Sequence, residues 1–161
     1  MKKFLALLFT LSIIMSCATD VKFNNPGFQA LKENFSWQSS LTTVKIVNGN
    51  MVITALKDLE TVTLTFPAPA TSIVGTAPKT FKFGILDQPS ASYSSEENGV
   101  LLQYATAKDI GDGEIVINEY NISTKQLSGT FRFNAKYKGT TINIPTNINF
   151  QRGNFYKIEV Q

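Results

Sequence analysis

One segment decides the fold class of this chain, and it reads Thr43-Val44-Lys45-Ile46-Val47-Asn48-Gly49-Asn50-Met51-Val52-Ile53-Thr54-Ala55. Two apolar runs flank Asn48-Gly49, and Asn-Gly is the strongest short-range signal for a β-hairpin because both residues of a type I′ turn need positive φ. The segment therefore predicts two antiparallel strands joined by a tight turn.

The same period of two continues along the rest of the chain. Apolar side chains alternate with polar ones at Val62, Leu64 and Phe66, and again at Phe131, Phe133 and Ala135. Each such strand buries one face and leaves the other in water. We predict an all-β protein, an antiparallel meander of about nine or ten strands that forms a sandwich or a flattened barrel. The alternation suits both arrangements equally.

Three local features complete the predicted architecture. Residues 28–33 follow Pro26, which is tolerated at a helix start, so we expect one short N-terminal helix at most. Arg152-Gly153-Asn154 is interpreted as a turn between two strands, and Pro145 as an edge or bulge position. Segments 67–79 and 85–100 are predicted as the longest loops, which makes them candidate binding loops.

The N-terminus is typical of an exported lipoprotein. Lys2 and Lys3 precede an apolar run that is shorter than the roughly 20 residues of a membrane-spanning helix. Ile14-Met15-Ser16-Cys17 then resembles a bacterial lipobox, and Cys17 is the only cysteine of the chain. We therefore predict a lipoprotein signal peptide over residues 1–16, a lipidated cysteine and tether over 17–25, and one all-β domain over 26–161. Acyl chains such as palmitate on Cys17 would anchor the domain to a membrane.

Composition excludes several classes of function. The chain of 161 residues contains no histidine, which rules out histidine-based catalytic triads and imidazole metal ligands. A single cysteine rules out internal disulfides and thiolate zinc clusters. Without Lys2 and Lys3, 13 basic and 12 acidic side chains remain, so the net charge falls from +3 to +1. We expect no nucleic-acid partner and no cofactor.

One acidic cluster is a candidate metal site. Asp109, Asp112 and Glu114 stand among glycines, and carboxylate oxygens are the ligands that Ca²⁺ takes, six to eight at a time. The spacing differs from that of an EF-hand. Asp and Gly are also what an ordinary turn before a strand requires, and the pattern favours that interpretation.

Other candidate chemistry is sparse. Trp37 is the only tryptophan and has polar neighbours, so it is a candidate for stacking on a sugar or an aromatic ligand. A glycosidase would need two carboxylates on one site. Glu114 and Glu119 fall on opposite parities of one predicted strand, and no other pair stands out. We therefore expect no enzymatic activity.

Several segments together resemble a known group of proteins. They are Trp37, the Asn48-Gly49 hairpin, and residues 21–30, 53–55, 81–84, 113–117, 127–135 and 153–158. In this order they resemble an uncharacterised domain-of-unknown-function family of small lipoproteins from Flavobacterium-like Bacteroidota. The resemblance covers about residues 21–160 and implies the compartment and the fold, but no activity.

We expect a lipid-anchored envelope domain with a non-catalytic binding role and no assigned ligand. A glycan, a hydrophobic ligand and an outer-membrane protein are the candidate partners, and a structural component of an outer-membrane assembly or a carrier of a hydrophobic ligand are the alternatives. Surface lipoproteins of Bacteroidota often carry an acidic cluster after the lipidated cysteine, and here only Asp20 is present. We therefore favour a periplasm-facing outer-membrane anchor over the cell surface.

Overall fold

The computed structural model describes residues 27–140 and 143–161. They form an all-β protein with antiparallel strand pairs, as predicted. Eleven strands follow one another: β1 (Gly27–Lys32), β2 (Phe35–Gln38), β3 (Leu41–Val47), β4 (Asn50–Lys57), β5 (Glu60–Pro67), β6 (Lys79–Phe83), β7 (Ser90–Glu97), β8 (Val100–Ala105), β9 (Asp112–Asn121), β10 (Gln126–Tyr137) and β11 (Asn147–Glu159). The predicted Asn48-Gly49 hairpin is present, with φ of 49° and 77° at its two turn residues.

All eleven strands belong to one strongly curled sheet, a half-barrel. Its order is β2-β1-β11-β10-β8-β7-β5-β4-β3, while β9 pairs with β10 and carries β6 at its other edge. The curl brings β3 back towards the end of β11, where Val44 forms a parallel bridge with Val160. Of the two arrangements that the alternation left open, the protein is therefore closer to the barrel than to a sandwich of two sheets.

Aromatic side chains fill the inside of the curl. The ring centroids of Phe28 and Phe131 stack 4.6 Å apart, and those of Phe133 and Phe150 stack 4.8 Å apart. These side chains come from β1, β10 and β11, and each is at most 3% exposed. Such offset pairs add about 0.5–1.5 kcal/mol each beyond the burial of their area. The aromatic core thus ties together three neighbouring strands of the sheet.

The predicted helix at residues 28–33 is wrong, because this segment is strand β1. Its backbone pairs with β11 on one side and with β2 on the other. Phe28 and Ala30 alternate into the core, and a two-residue turn at Glu33-Asn34 follows. Pairing on both edges outweighs the helix propensity of the segment, which is only a weak preference.

Two other local predictions also need correction. Arg152-Gly153-Asn154 is not a turn but lies within β11, which continues as one strand through a β-bulge. Segment 85–100 is not one long loop, because β7 and the start of β8 occupy most of it. The loop after β5 is present and runs over residues 68–78. Pro145, predicted as an edge or bulge position, precedes β11 instead of lying within it.

Candidate binding surface

The outer face of the sheet carries a continuous row of mostly uncharged polar side chains. The row crosses six strands with each residue paired to the next in register, and it consists of Gln38, Gln29, Asn154, Thr130, Val116 and Thr80. We call these six residues the outer row. Because neighbouring strands lie about 4.8 Å apart, its five intervals span roughly 24 Å.

A shallow groove of about 360 Å³ interrupts this face beside the outer row. Its polar lining comes from β9, β10 and β11, and we call it the arginine groove, defined by Glu114, Thr130, Arg132, Gln151, Arg152 and Asn154. The register explains the groove. Phe131 pairs with Gly153 and Phe133 with Phe150, so Arg132 faces two residues of β11, Gln151 and Arg152. A β-bulge of this kind re-aims side chains, and bulges are common beside functional sites.

Glycine at position 153 is required by close packing beneath the groove. A Cβ atom there would lie 2.5 Å from ring atoms of Phe131, far inside contact distance. The aromatic core therefore reaches the floor of the arginine groove, and the groove is supported by rigid packing rather than by a loop. Sites on strands are held more precisely than sites on loops.

Glu114 organises the charges at one side of the arginine groove. Its carboxylate accepts hydrogen bonds from Lys82 and from Nε of Arg132, the latter at 3.0 Å. These two donors, Lys82 first, hold the pKa of Glu114 below its ordinary value. The carboxylate is thus ionised at neutral pH and pairs with two cations, Lys82 and Arg132, while a third cation, Arg152, lines the same groove.

A second polar cluster lies inside the curl, and its four residues come from four different strands. Lys32 and Trp37 Nε1 both donate to the Glu60 carboxylate, and Lys32 Nζ also lies 3.0 Å from the hydroxyl of Tyr93. We call Lys32, Trp37, Glu60 and Tyr93 the clasp. In the sheet order β11, β10 and β8 stand between β1 and β7, so the clasp crosses the inside of the half-barrel.

The clasp residues shift one another's protonation. Burial alone would lower the pKa of Lys32 and raise that of Glu60, but the hydrogen bonds within the clasp outweigh burial. The pKa of Lys32 is therefore raised and that of Glu60 lowered, and burial raises the pKa of Tyr93. At neutral pH the clasp therefore contains an ion pair between the Lys32 ammonium and the Glu60 carboxylate.

Residues 24–159 match the model of a protein family described as a domain of unknown function, DUF6252. The chain belongs to this family. The match contains all eleven strands, so the outer row, the arginine groove and the clasp are all parts of the DUF6252 domain. No curated protein and no solved structure matches the chain.

Trp37 lies in the core of the DUF6252 domain and is 1% exposed. Its ring packs edge-to-face against Phe28 and Phe150, with centroids 6.0 and 5.8 Å away. Because its indole N–H is also taken by Glu60, the ring offers no open face for a ligand. The structure therefore places this predicted contact residue in the clasp, where it positions a carboxylate.

The three acidic residues of the calcium hypothesis lie in different local environments. Asp112 accepts a hydrogen bond from Asn134 at 2.8 Å, Glu114 is held by Lys82 and Arg132, and Asp109 has positive φ in the turn before β9. Over residues 27–140 and 143–161, no group of three or more possible metal ligands converges. Only Asp109 therefore lies in a turn, as the ordinary-turn interpretation expects, while Asp112 and Glu114 belong to strand β9.

The prediction that Glu114 and Glu119 face opposite sides of the sheet is wrong, because β9 contains a bulge between them. The register with β10 shifts between Ser128 and Gly129, and β9 buries Ile117 and then Tyr120. Both glutamates consequently lie on the outer face. Five residues of strand separate them by about 16 Å, which is beyond the carboxylate spacing of a glycosidase, roughly 5–10 Å.

A larger polar cleft, about 570 Å³, lies at the end of the sheet where β1 begins. Lys157 and Glu159 of β11, Gln38 and the β2–β3 turn line it. The turn hydroxyls already serve the fold, since Ser39 contacts Thr42 and the Phe28 carbonyl, and Ser40 donates to the Leu56 carbonyl. Gly27, the first residue that the structure describes, also lines this cleft.

The predicted signal peptide, Cys17 and the tether lie outside the described residues. Within the part of the chain that the structure describes, no helix has the length and apolar character needed to span a membrane.

Sequence reasoning missed both polar clusters. The clasp joins Lys32 to Glu60, 28 residues away, and to Tyr93, 61 residues away. One signal was present, because Lys32 shares the parity of Phe28 and Ala30 if residues 27–32 are treated as a strand. The arginine groove depends on a bulge in β11, which the alternation of residue types did not reveal.

Proposed function

We propose that this protein is a lipid-anchored, non-catalytic binding domain of the bacterial envelope, whose ligand contacts the outer row and the arginine groove. The observation that carries the proposal is the register of the outer row, which presents amide and hydroxyl groups from neighbouring strands on one rigid face. These groups donate and accept hydrogen bonds without the desolvation cost of a full charge. A glycan is the candidate ligand that such a surface suits.

The clasp supports a binding role rather than catalysis. A general acid or base needs a proton to exchange and a pKa near the working pH. In the clasp the pKa of Lys32 is raised and that of Glu60 lowered, so both are shifted away from neutrality. Lys32 and Glu60 are hydrogen-bonded to each other, and the clasp stabilises the curl of the sheet.

The envelope location rests on the lipobox-like sequence that ends at Cys17. We expect radiolabelled palmitate to be incorporated into the wild-type protein and not into Cys17→Ser. Cys17→Ser should also remain as the unprocessed precursor. Labelling of Cys17→Ser, or its processing at the same position, would contradict the anchor.

Orientation is tested by adding protease to intact and to lysed cells. A periplasm-facing domain at the outer membrane should be protected until lysis. Digestion on intact cells would instead place the DUF6252 domain at the cell surface, with the same anchor.

The binding role is tested by blocking the outer row. Thr130→Trp places a bulky ring in the row, and Thr65→Trp places the same ring on the outer face of β5 as a matched control. We expect Thr130→Trp, but not Thr65→Trp, to abolish retention on a panel of immobilised neutral and acidic polysaccharides. Equal retention of the two variants would contradict a binding role for this face.

An alternative function is that of a structural component in an outer-membrane assembly. One observation favours it, because the edge strand β3 exposes apolar side chains at Leu41, Ile46 and Val47, each about half exposed. Such an edge is a site for strand addition by a partner. Ile46→Lys should then release the partner while leaving polysaccharide retention unchanged. The aromatic packing inside the curl gives no support to a carrier of a hydrophobic ligand.

A further inference from the structure

We propose that the arginine groove binds the oxyanion group of an acidic polysaccharide, a carboxylate or a sulfate, through Arg132 and Arg152. This inference rests on the proposed function and names the ligand class of the same face. Guanidinium groups suit such ligands because their planar fork of donors matches the oxygens of a carboxylate or a sulfate.

Arg152 is held in a conformation that costs free energy. Its φ is 50°, in the left-handed region that residues with a side chain rarely adopt, and it lies within the β11 bulge. Strain of this kind persists where the surrounding structure enforces it, and it is concentrated at ligand sites. Arg152 lines the arginine groove and is exposed.

The two arginines also oppose each other across neighbouring strands. Arg132 of β10 faces the bulge that contains Arg152, and like charges at opposed positions destabilise a sheet. Glu114 relieves only part of this repulsion, because it accepts from Nε of Arg132 and from Lys82 on its far side. Among the described residues, Arg152 forms no ion pair. A bound anion between the two guanidinium groups would remove the repulsion.

Neutral groups beside the arginines suit the rest of a sugar chain. Gln151, Asn154 and Thr130 line the same groove, and the outer row continues from Asn154 and Thr130 in both directions. A polymer lying along the row would place an acidic group in the groove and its hydroxyls on the amides. An isolated anion would use the arginines alone and leave the row unused.

The test measures binding of the protein to three polysaccharides: polygalacturonate, dextran sulfate and neutral dextran. The variant is Arg152→Asn, since asparagine tolerates positive φ and the fold is kept. Lys45→Asn is the matched control, because it removes one exposed cation from β3, away from the groove. Denaturation curves of all three proteins check that each is folded.

We expect an acidic polysaccharide to bind at least tenfold more tightly than dextran, and Arg152→Asn to lose that tenfold while Lys45→Asn keeps it. Preference for polygalacturonate would assign a carboxylate, and preference for dextran sulfate, which carries no carboxylates, would assign a sulfate. Equal loss in both variants would show non-specific attraction and overturn the inference. If neither acidic polymer bound, the inference would also be overturned. Dextran binding that Thr130→Trp blocks and Arg152→Asn retains would overturn the inference while leaving the proposed binding function in place.

Discussion

Strand β10 presents two different surfaces from alternating residues of one segment. Its inner side chains Phe131, Phe133 and Ala135 are at most 3% exposed and belong to the aromatic core. Its outer side chains Thr130 and Arg132 belong to the outer row and the arginine groove. Residue parity thus separates the packed inner face, which holds the fold, from the outer face, to which the proposed function assigns ligand binding.

The largest effect is expected from truncating the inner face. Phe150→Ala removes a fully buried ring that packs against Phe133, Trp37 and Tyr93. Because a cavity remains, we expect the free energy of unfolding to fall by about 3–5 kcal/mol. Thr130→Ala on the outer face should change it by less than about 0.5 kcal/mol. Urea denaturation measures the free energy of unfolding of both variants. Similar losses in the two would contradict the claim that the inner face alone holds the fold.

The two ion-pair clusters lie on opposite faces of the sheet and differ in burial. Glu60→Gln removes the charge that balances Lys32 inside the curl, where both side chains are about three-quarters buried. We expect a loss of about 2 kcal/mol, typical of a hydrogen bond to a charged group. Glu114→Gln on the outer face should lose at most about 1 kcal/mol, since Lys82 and Arg132 are more than half exposed. Equal losses of unfolding free energy in the two variants would show that the clasp contributes no more to stability than the exposed ion pairs of Glu114.

The clasp also predicts how stability depends on pH. The pKa of Glu60 is lowered in the folded state from its ordinary value of 4.5. Its contribution is therefore fully present above pH 4.5 and is lost as pH falls through the lowered folded pKa. The difference in unfolding free energy between wild type and Glu60→Gln should accordingly shrink below pH 4.5. At the alkaline end, the pKa of Lys32 is raised from 10.5, so its contribution to stability is fully present below pH 10.5 and is lost as pH rises through the raised folded pKa. A difference that stays constant from neutrality to pH 3 would contradict this role of Glu60.

The smallest effect is expected at the groove itself, and its sign is opposite. Arg152→Asn relieves part of the cost of positive φ and the repulsion from Arg132. We expect the protein to become about 0.5 kcal/mol more stable. A stability gain accompanied by a loss of binding is the signature of a residue kept for function. A clear loss of stability would show instead that Arg152 supports the fold.

Much of the fold was predictable from local residue patterns. The Asn48-Gly49 hairpin and the buried series Val62, Leu64 and Phe66 follow directly from turn chemistry and alternation. Residues 28–33 were predicted wrongly, because the backbone partners of β1 are β11, far along the chain, and β2, which no local signal indicated. Bulges are the second reason for failure, since each one reverses the parity of everything after it, as Glu119 and Arg152 show.

The site was less predictable than the fold. Trp37 is polar-flanked in sequence, yet its neighbours in space are Phe28, Phe150 and the Glu60 carboxylate. Arg132 and Arg152 lie 20 positions apart, and only the β10–β11 register brings them to one groove. Sequence patterns predict on which face of the sheet a residue lies, but not which residues from distant parts of the chain lie next to it.

The most direct test of the separation between the faces is chemical-shift mapping of the isotope-labelled protein during titration with an acidic polysaccharide. The indole N–H of Trp37, the only tryptophan, reports on the clasp, and the amides around Gly153 report on the arginine groove. We predict that shifts concentrate at the outer residues of β9, β10 and β11 while the Trp37 indole signal stays in place. A titration that moves the Trp37 signal and leaves the groove amides unchanged would contradict the account.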